Sequence, residues 1–114
     1  MTNFNHGDII LVPFPFTDQK STKKRPAVVI SSPAYNNERP DLIIMAVTSQ
    51  IKPTSVIGEV TIQSWQEAGL LKPSIIKPVI TTIEKKLVIQ SMGHLNQNDL
   101  SSLQNGLKII LAEN

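Results

Sequence analysis

The apolar runs of this chain are all short, about six residues at most, and turn-forming residues bound them. Gly7-Asp8 precedes Ile9-Ile10-Leu11-Val12, which Pro13 stops. Pro15 keeps Phe14 to Thr17 irregular or at a sheet edge. Asp18 to Lys24 is polar and reads as a loop. Pro26 suits the first residue of a strand, and Ala27-Val28-Val29-Ile30 is apolar throughout, as a strand buried on both faces is. Pro33 to Pro40 reads as a turn-rich connection, Leu42 to Val47 as a third strand and Lys52 to Thr54 as a loop. Val56, Gly58, Val60 and Ile62 alternate with Ile57, Glu59 and Thr61, which predicts a fourth strand.

Ser64-Trp65-Gln66-Glu67 matches a capping box and Gly69 supplies a stop, so one short helical turn is expected, with Trp65 as a structural anchor. Ile75-Ile76, Val79 to Ile83 and Leu87 to Met92 read as further short strands, with a hairpin turn at Glu84-Lys85-Lys86. The period then changes. Leu100, Leu103, Leu107, Ile110 and Leu111 fall on one helical face, and Asn96 with Asp99 three later marks the start. Gly106 weakens this helix by about 1 kcal/mol relative to alanine. The expected fold is mainly β with a C-terminal α-helix: a small, strongly bent barrel.

A chain of 114 residues has room for one domain, residues 1–114. It is 40% hydrophobic, too apolar for intrinsic disorder. Extra burial by dimerisation would help a chain this small. Cysteine is absent, which excludes disulfides and thiolate chemistry, and with two histidines no zinc site is expected. A reducing cytoplasm suits such a chain. No run is long enough to span a membrane. Net charge is +2, which permits nucleic-acid binding without demanding it.

The arrangement of charge says more. Lys20, Lys23, Lys24 and Arg25 fall within six positions, and no acid follows Asp18 until Glu38. This basic loop opens onto the Pro26–Ser31 strand, while Leu42–Val47 runs into Thr48-Ser49-Gln50. Cations beside hydroxyls at strand ends can hold a phosphodiester without a metal. The acids are scattered, with no close pair for a two-metal nuclease.

Three segments together resemble the MazF/PemK family of toxin endoribonucleases: Gly7 to Val12, Lys24 to Ser31, and Ala46-Val47-Thr48-Ser49-Gln50. The similarity extends through Trp65 to Pro73, Thr82 to Lys85 and the terminal helix. The resemblance implies an SH3-like barrel that forms a homodimer in the cytoplasm. It implies sequence-specific cleavage of single-stranded RNA without metal or cofactor, leaving a 2′,3′-cyclic phosphate and a 5′-hydroxyl. It further implies a cognate antitoxin whose extended acidic segment occupies the RNA groove. Carried onto matching positions, it makes Arg25 and Thr48 the catalytic pair. Lys77-Pro78-Val79 departs from the acidic or amide residue that many relatives carry there.

The residue types agree with these roles. Arginine's planar fork pairs with phosphate oxygens and stays charged. The hydroxyl of Thr48 can hold a second oxygen, and Ser49 could do the same. Arginine is a poor proton acceptor, so Arg25 is assigned to charge stabilisation, with proton transfer as a second role open to it and the general base left open. RNA-binding candidates are Lys23, Lys24, Ser49, Gln50, Phe16 and Lys77. For Phe14 and Phe16, core packing or loop anchoring is the first explanation and base stacking the second. His6 and His94 are read as surface residues. Two alternatives use the same barrel without chemistry: a CcdB-like poison acting through its C-terminal peptide, and a plain RNA-binding module.

Overall fold

The computed structural model describes residues 3–14, 23–54 and 56–112, with position 14 as backbone only. Phe16, and the Asp18–Thr22 part of the expected loop, lie outside the described residues. The strands are β1 (Asp8–Phe14), β2 (Lys23–Val29), β3 (Asp41–Thr48), β4 (Val60–Ile62), β5 (Ser74–Glu84) and β6 (Gln90–His94). Helix α1 (Pro33–Glu38) joins β2 to β3, and α2 (Gln97–Ile110) follows β6. The strands form one antiparallel sheet in the order β4-β5-β3-β2-β1-β6, curled into a half-barrel. The expected class, mainly β with a C-terminal helix in a MazF/PemK-like fold, is therefore correct.

Both faces of the central strands are buried. Ile9, Val28, Met45 and Val47 point into the curl, where Leu95 and Leu103 complete the core. Ile10, Ala27, Val29, Leu42 and Ile44 point the other way and are covered by Phe4, Ile83 and Val88. Each fully buried leucine or isoleucine contributes about 1.5–3 kcal/mol, so these strands hold the molecule together. Ser31 and Asn36, both buried, tie the N-terminal segment to this core: the Asn36 amide donates to the carbonyls of Phe4 and Ser31.

Prolines sit inside two strands, each with its missing N–H on the edge where pairing to one neighbour has stopped. Ile89 N donates to Leu11 O at 2.8 Å, so Leu11 points its backbone toward the β6 side. Alternation turns Pro13 the same way, past Leu11↔Gln90 where β6 stops. Its missing N–H breaks no ladder bond, and β1 runs through Pro13 instead of stopping there. Pro26 is likewise the fourth residue of β2, not the first, because β1 pairs with Lys23 to Arg25 as well. Lys23, Lys24 and Arg25 are thus strand residues and not loop.

Other local expectations change for stated reasons. Residues 33–38 form α1: Ser32 caps it by accepting from Tyr35 N, and Pro33 sits at its first position. The strand expected over 56–62 shrinks to Val60–Ile62. Gly58 takes φ +94°, and the Glu59 N to Val56 O bond closes a turn that leaves Ile57 79% exposed. Val79 to Ile83 does not form a separate strand, since β5 runs unbroken from Ser74 to Glu84. Between Met45↔Ile80 and Val47↔Ile76, β3 advances two residues and β5 four, so Lys77-Pro78-Val79 bulges from the ladder. No hairpin joins β5 to β6. A 3₁₀ turn at Lys85–Leu87 carries the chain across to β1.

The Ser64–Gly69 turn lies against β6. Gly69 has φ +84°, and a Cβ there would sit 2.0 Å from the Met92 carbonyl oxygen; one on Gly93 would sit 2.3 Å from that of Ala68. Two backbones touch here, and only glycine permits it. The turn is capped from α2 instead of by its own side chains: the buried Asp99 carboxylate accepts from Gln63 N and Ser64 N, both at 2.9 Å. Asn96 caps α2 as expected, accepting from Asp99 N. Gly106 faces Val60, whose Cγ2 would be 2.9 Å from an added Cβ, so the glycine that weakens α2 lets it approach β4. Leu111 falls outside the buried stripe and is exposed.

Candidate RNA-cleavage groove

The site begins where β2 and β3 part. Their pairing is Ala27↔Ala46, Val28↔Met45 and Val29↔Ile44. Ile30 N donates to Ile43 O at 2.9 Å, so Ile30, and by alternation Val28 and residue 26, turn their backbones toward β3. Residue 26 should therefore be the next donor to Val47. It is proline, with no N–H to give. The ladder stops at Ala27, and a groove of about 310 Å³ occupies the gap.

Arg25 and Thr48 lie just beyond. Continuing the register by two residues sets them opposite each other, and opposed residues project to one side of a sheet. Both line the groove, together with the intervening Pro26 and Val47. Arg25 faces Val12 of β1, so its backbone is held on the side away from the opening. Its side chain is half-buried and its Nε is shut off from solvent. The Thr48 hydroxyl accepts from Gln50 N at 3.1 Å, a short hydroxyl turn that fixes the oxygen and leaves its own hydrogen to donate.

The charge of the groove is one-sided. Lys24, Arg25 and Lys72 line it, and among the described residues no aspartate, glutamate or histidine does. Such a cavity selects an anion. Ser49 and Gln50 are exposed on its rim. Lys23 opens β2 as an exposed residue outside the groove wall, and Lys77 is half-buried in the β5 bulge, three residues beyond the groove residue Ser74. Sequence reasoning missed a second wall, formed by Leu70, Leu71, Lys72 and Ser74, with Met92 of β6 nearby. Its signal was faint: a lysine between a leucine and a proline.

The two histidines serve structure. His6 Nδ1 lies 2.9 Å from Ile30 O. His94 pairs with Asp8 at 2.7 Å, toward the opposite end of β1 from the residues facing Arg25. The shifted ionisations also lie elsewhere, on α1 and the start of β3. The Arg39 guanidinium, bonded to Asp41 at 2.8 Å, holds the Asp41 carboxyl below the usual carboxylate range. Asp41 in turn raises Arg39, and burial together with its bond to Asp41 raises Tyr35.

Solved structures share this architecture. The crystal structure of MazE-MazF (Form-II) from Deinococcus radiodurans has a chain matching with TM-score 0.78 at 18% identity, over 100% of both chains. The Mycobacterium tuberculosis toxin MazF-mt6 matches with TM-score 0.76 at 15% identity, over 94% of this chain and 98% of that one. A mycobacterial endoribonuclease in complex with its cognate antitoxin matches with TM-score 0.74 at 15% identity, over 98% and 96%. At such identities the likeness establishes the fold. Membership rests on sequence: the model of the PemK-like, MazF-like toxins of type II toxin-antitoxin systems matches residues 5–111. With nearly the whole chain matched, and with the half-barrel fold agreeing, this protein belongs to the PemK/MazF-like toxin family.

Proposed function

We propose that this chain is the toxin of a type II toxin-antitoxin system, an endoribonuclease that cuts single-stranded RNA at specific sequences without a metal. The observation that carries this reading is the convergence of Arg25 and Thr48 on one cationic groove.

In the proposed reaction the 2′-hydroxyl beside the scissile phosphate loses its proton and attacks phosphorus. The O2′–P bond forms, the P–O5′ bond breaks, and the leaving 5′-oxygen takes up a proton. The products are a 2′,3′-cyclic phosphate and a 5′-hydroxyl. The phosphorane between them carries two negative charges. Arg25 supplies paired donors to its oxygens, and Thr48, fixed by Gln50 N, supplies a third. The sheet fixes the backbones that carry these donors, which limits the rearrangement needed as charge develops. Lys24 contacts the RNA backbone, which gives affinity and not sequence choice.

The same reading makes the protein cytoplasmic and homodimeric. Exposed Ile57, Ile109 and Leu111 support a second copy: the 56–58 turn meets the end of α2 where Gly58 packs by Pro78 and Ile110. A cognate antitoxin covering the groove completes the system; structural neighbours of this chain were solved in complex with an antitoxin.

The test is cleavage of a defined single-stranded RNA pool in EDTA, with the cut ends mapped. Cyclic phosphate ends are expected. Arg25→Ala should abolish cutting, and Thr48→Val should reduce it about 10²–10³-fold, the effect of losing one preorganised donor. Normal cutting by Arg25→Ala would sink the mechanism.

A further inference from the structure

We propose that Lys72 holds the RNA phosphate next to the scissile one, and that Leu71 beside it seats a base. The inference rests on RNA being the occupant of the groove.

The wall that carries these residues is rigid. Leu70 is buried and its N–H donates to Trp65 O at 3.0 Å. Ser74 is buried, pairs with Ile62 of β4, and its hydroxyl donates to Lys72 O at 2.9 Å. Pro73 restricts the backbone of Lys72 to extended conformations. Between these anchors Leu71 is 88% exposed, the most exposed large apolar residue described. Lys72 is exposed as well, and among the described residues it forms no ion pair.

A fixed backbone that presents a leucine and a lysine to solvent, on the wall of a cationic groove, has an apolar face and a charge to offer together. A nucleotide has a base and a phosphate to meet them. The division of labour also follows from chemistry. Arginine's rigid fork suits the reacting phosphate, whose oxygens must be held in one geometry. Lysine, a point charge on a flexible stem, suits a phosphate that only needs to be held.

The experiment uses a single-stranded RNA with 2′-O-methyl groups throughout, which removes the nucleophile and keeps the phosphates and bases. Fluorescence anisotropy across a salt series compares the wild-type protein with Lys72→Ala, Lys72→Arg and Leu71→Ala. Losing one phosphate contact lowers the slope of log K against log salt by about 0.7, so Lys72→Ala should bind roughly fivefold more weakly at 0.1 M salt. Lys72→Arg should restore the slope, and Leu71→Ala should weaken binding without changing it. On cleavable RNA the loss in Lys72→Ala should fall on KM rather than kcat. A wild-type slope in Lys72→Ala overturns the proposal. So does a Lys72→Ala protein that loses binding to a polyglutamate peptide while binding RNA normally, since the lysine would then serve an acidic protein partner. If the wild-type protein neither binds nor cuts RNA, the functional reading fails first and this proposal falls with it.

Discussion

Replacing Pro26 with alanine should close the sheet where it now opens. Alternation turns residue 26 toward β3, opposite Val47, so an alanine in its place would regain the N–H that extends the ladder beyond Ala27↔Ala46. One backbone hydrogen bond adds about 0.5–1.5 kcal/mol. Loss of proline's restriction on the unfolded chain removes about 0.4–1 kcal/mol. The two nearly cancel, so the melting temperature should move by only a few degrees. Activity should not cancel. Drawing β3 toward β2 shifts Thr48 relative to Arg25, and a displacement near 1 Å lowers turnover about 10²-fold. Amide exchange followed by NMR reports whether the new N–H at position 26 is protected, and a cleavage assay on the same Pro26→Ala sample reports turnover. An unprotected amide there, together with wild-type cleavage, would refute the idea that this proline holds the groove open.

Gly69→Ala should destabilise the protein by roughly 2–5 kcal/mol, combining about 1–2 for a left-handed alanine with 1–3 for overpacking against the Met92 carbonyl; thermal melts measure it. Asp99→Ala strands the Gln63 and Ser64 amides and should lower stability by roughly 2–5 kcal/mol, with urea titration as the check. Asp41 is held below its ordinary pKa chiefly by Arg39, so its contribution is present above about pH 4 and lost as pH falls through the depressed value. Arg39→Ala should flatten that acid limb in pH-dependent melts, and an unchanged limb would contradict the assignment.

The core strands were legible because burial on both faces leaves an unbroken apolar run, as in Ala27–Ile30 and Leu42–Val47. Helix α2 was legible from its period and its Asn96 cap. Helix α1 was missed although Ser32-Pro33 is a start signal, because its buried member is Asn36 and no apolar stripe marks it. The strand expected over 56–62 failed in the opposite way. Its alternation is real, but Gly58 turns the chain and only Val60 and Ile62 find the core.

By itself the sequence determined which residues must leave water, where proline and glycine forbid regular pairing, and that Arg25 and Thr48 match the family's pattern. Tertiary structure alone decided that Pro26 parts two strands, that β6 closes on β1 instead of β5, and that Lys72 joins the groove. Each of these depends on which backbone edge meets which neighbour, and edges are chosen by the whole sheet competing for hydrogen bonds and buried area, not by any local run of side chains.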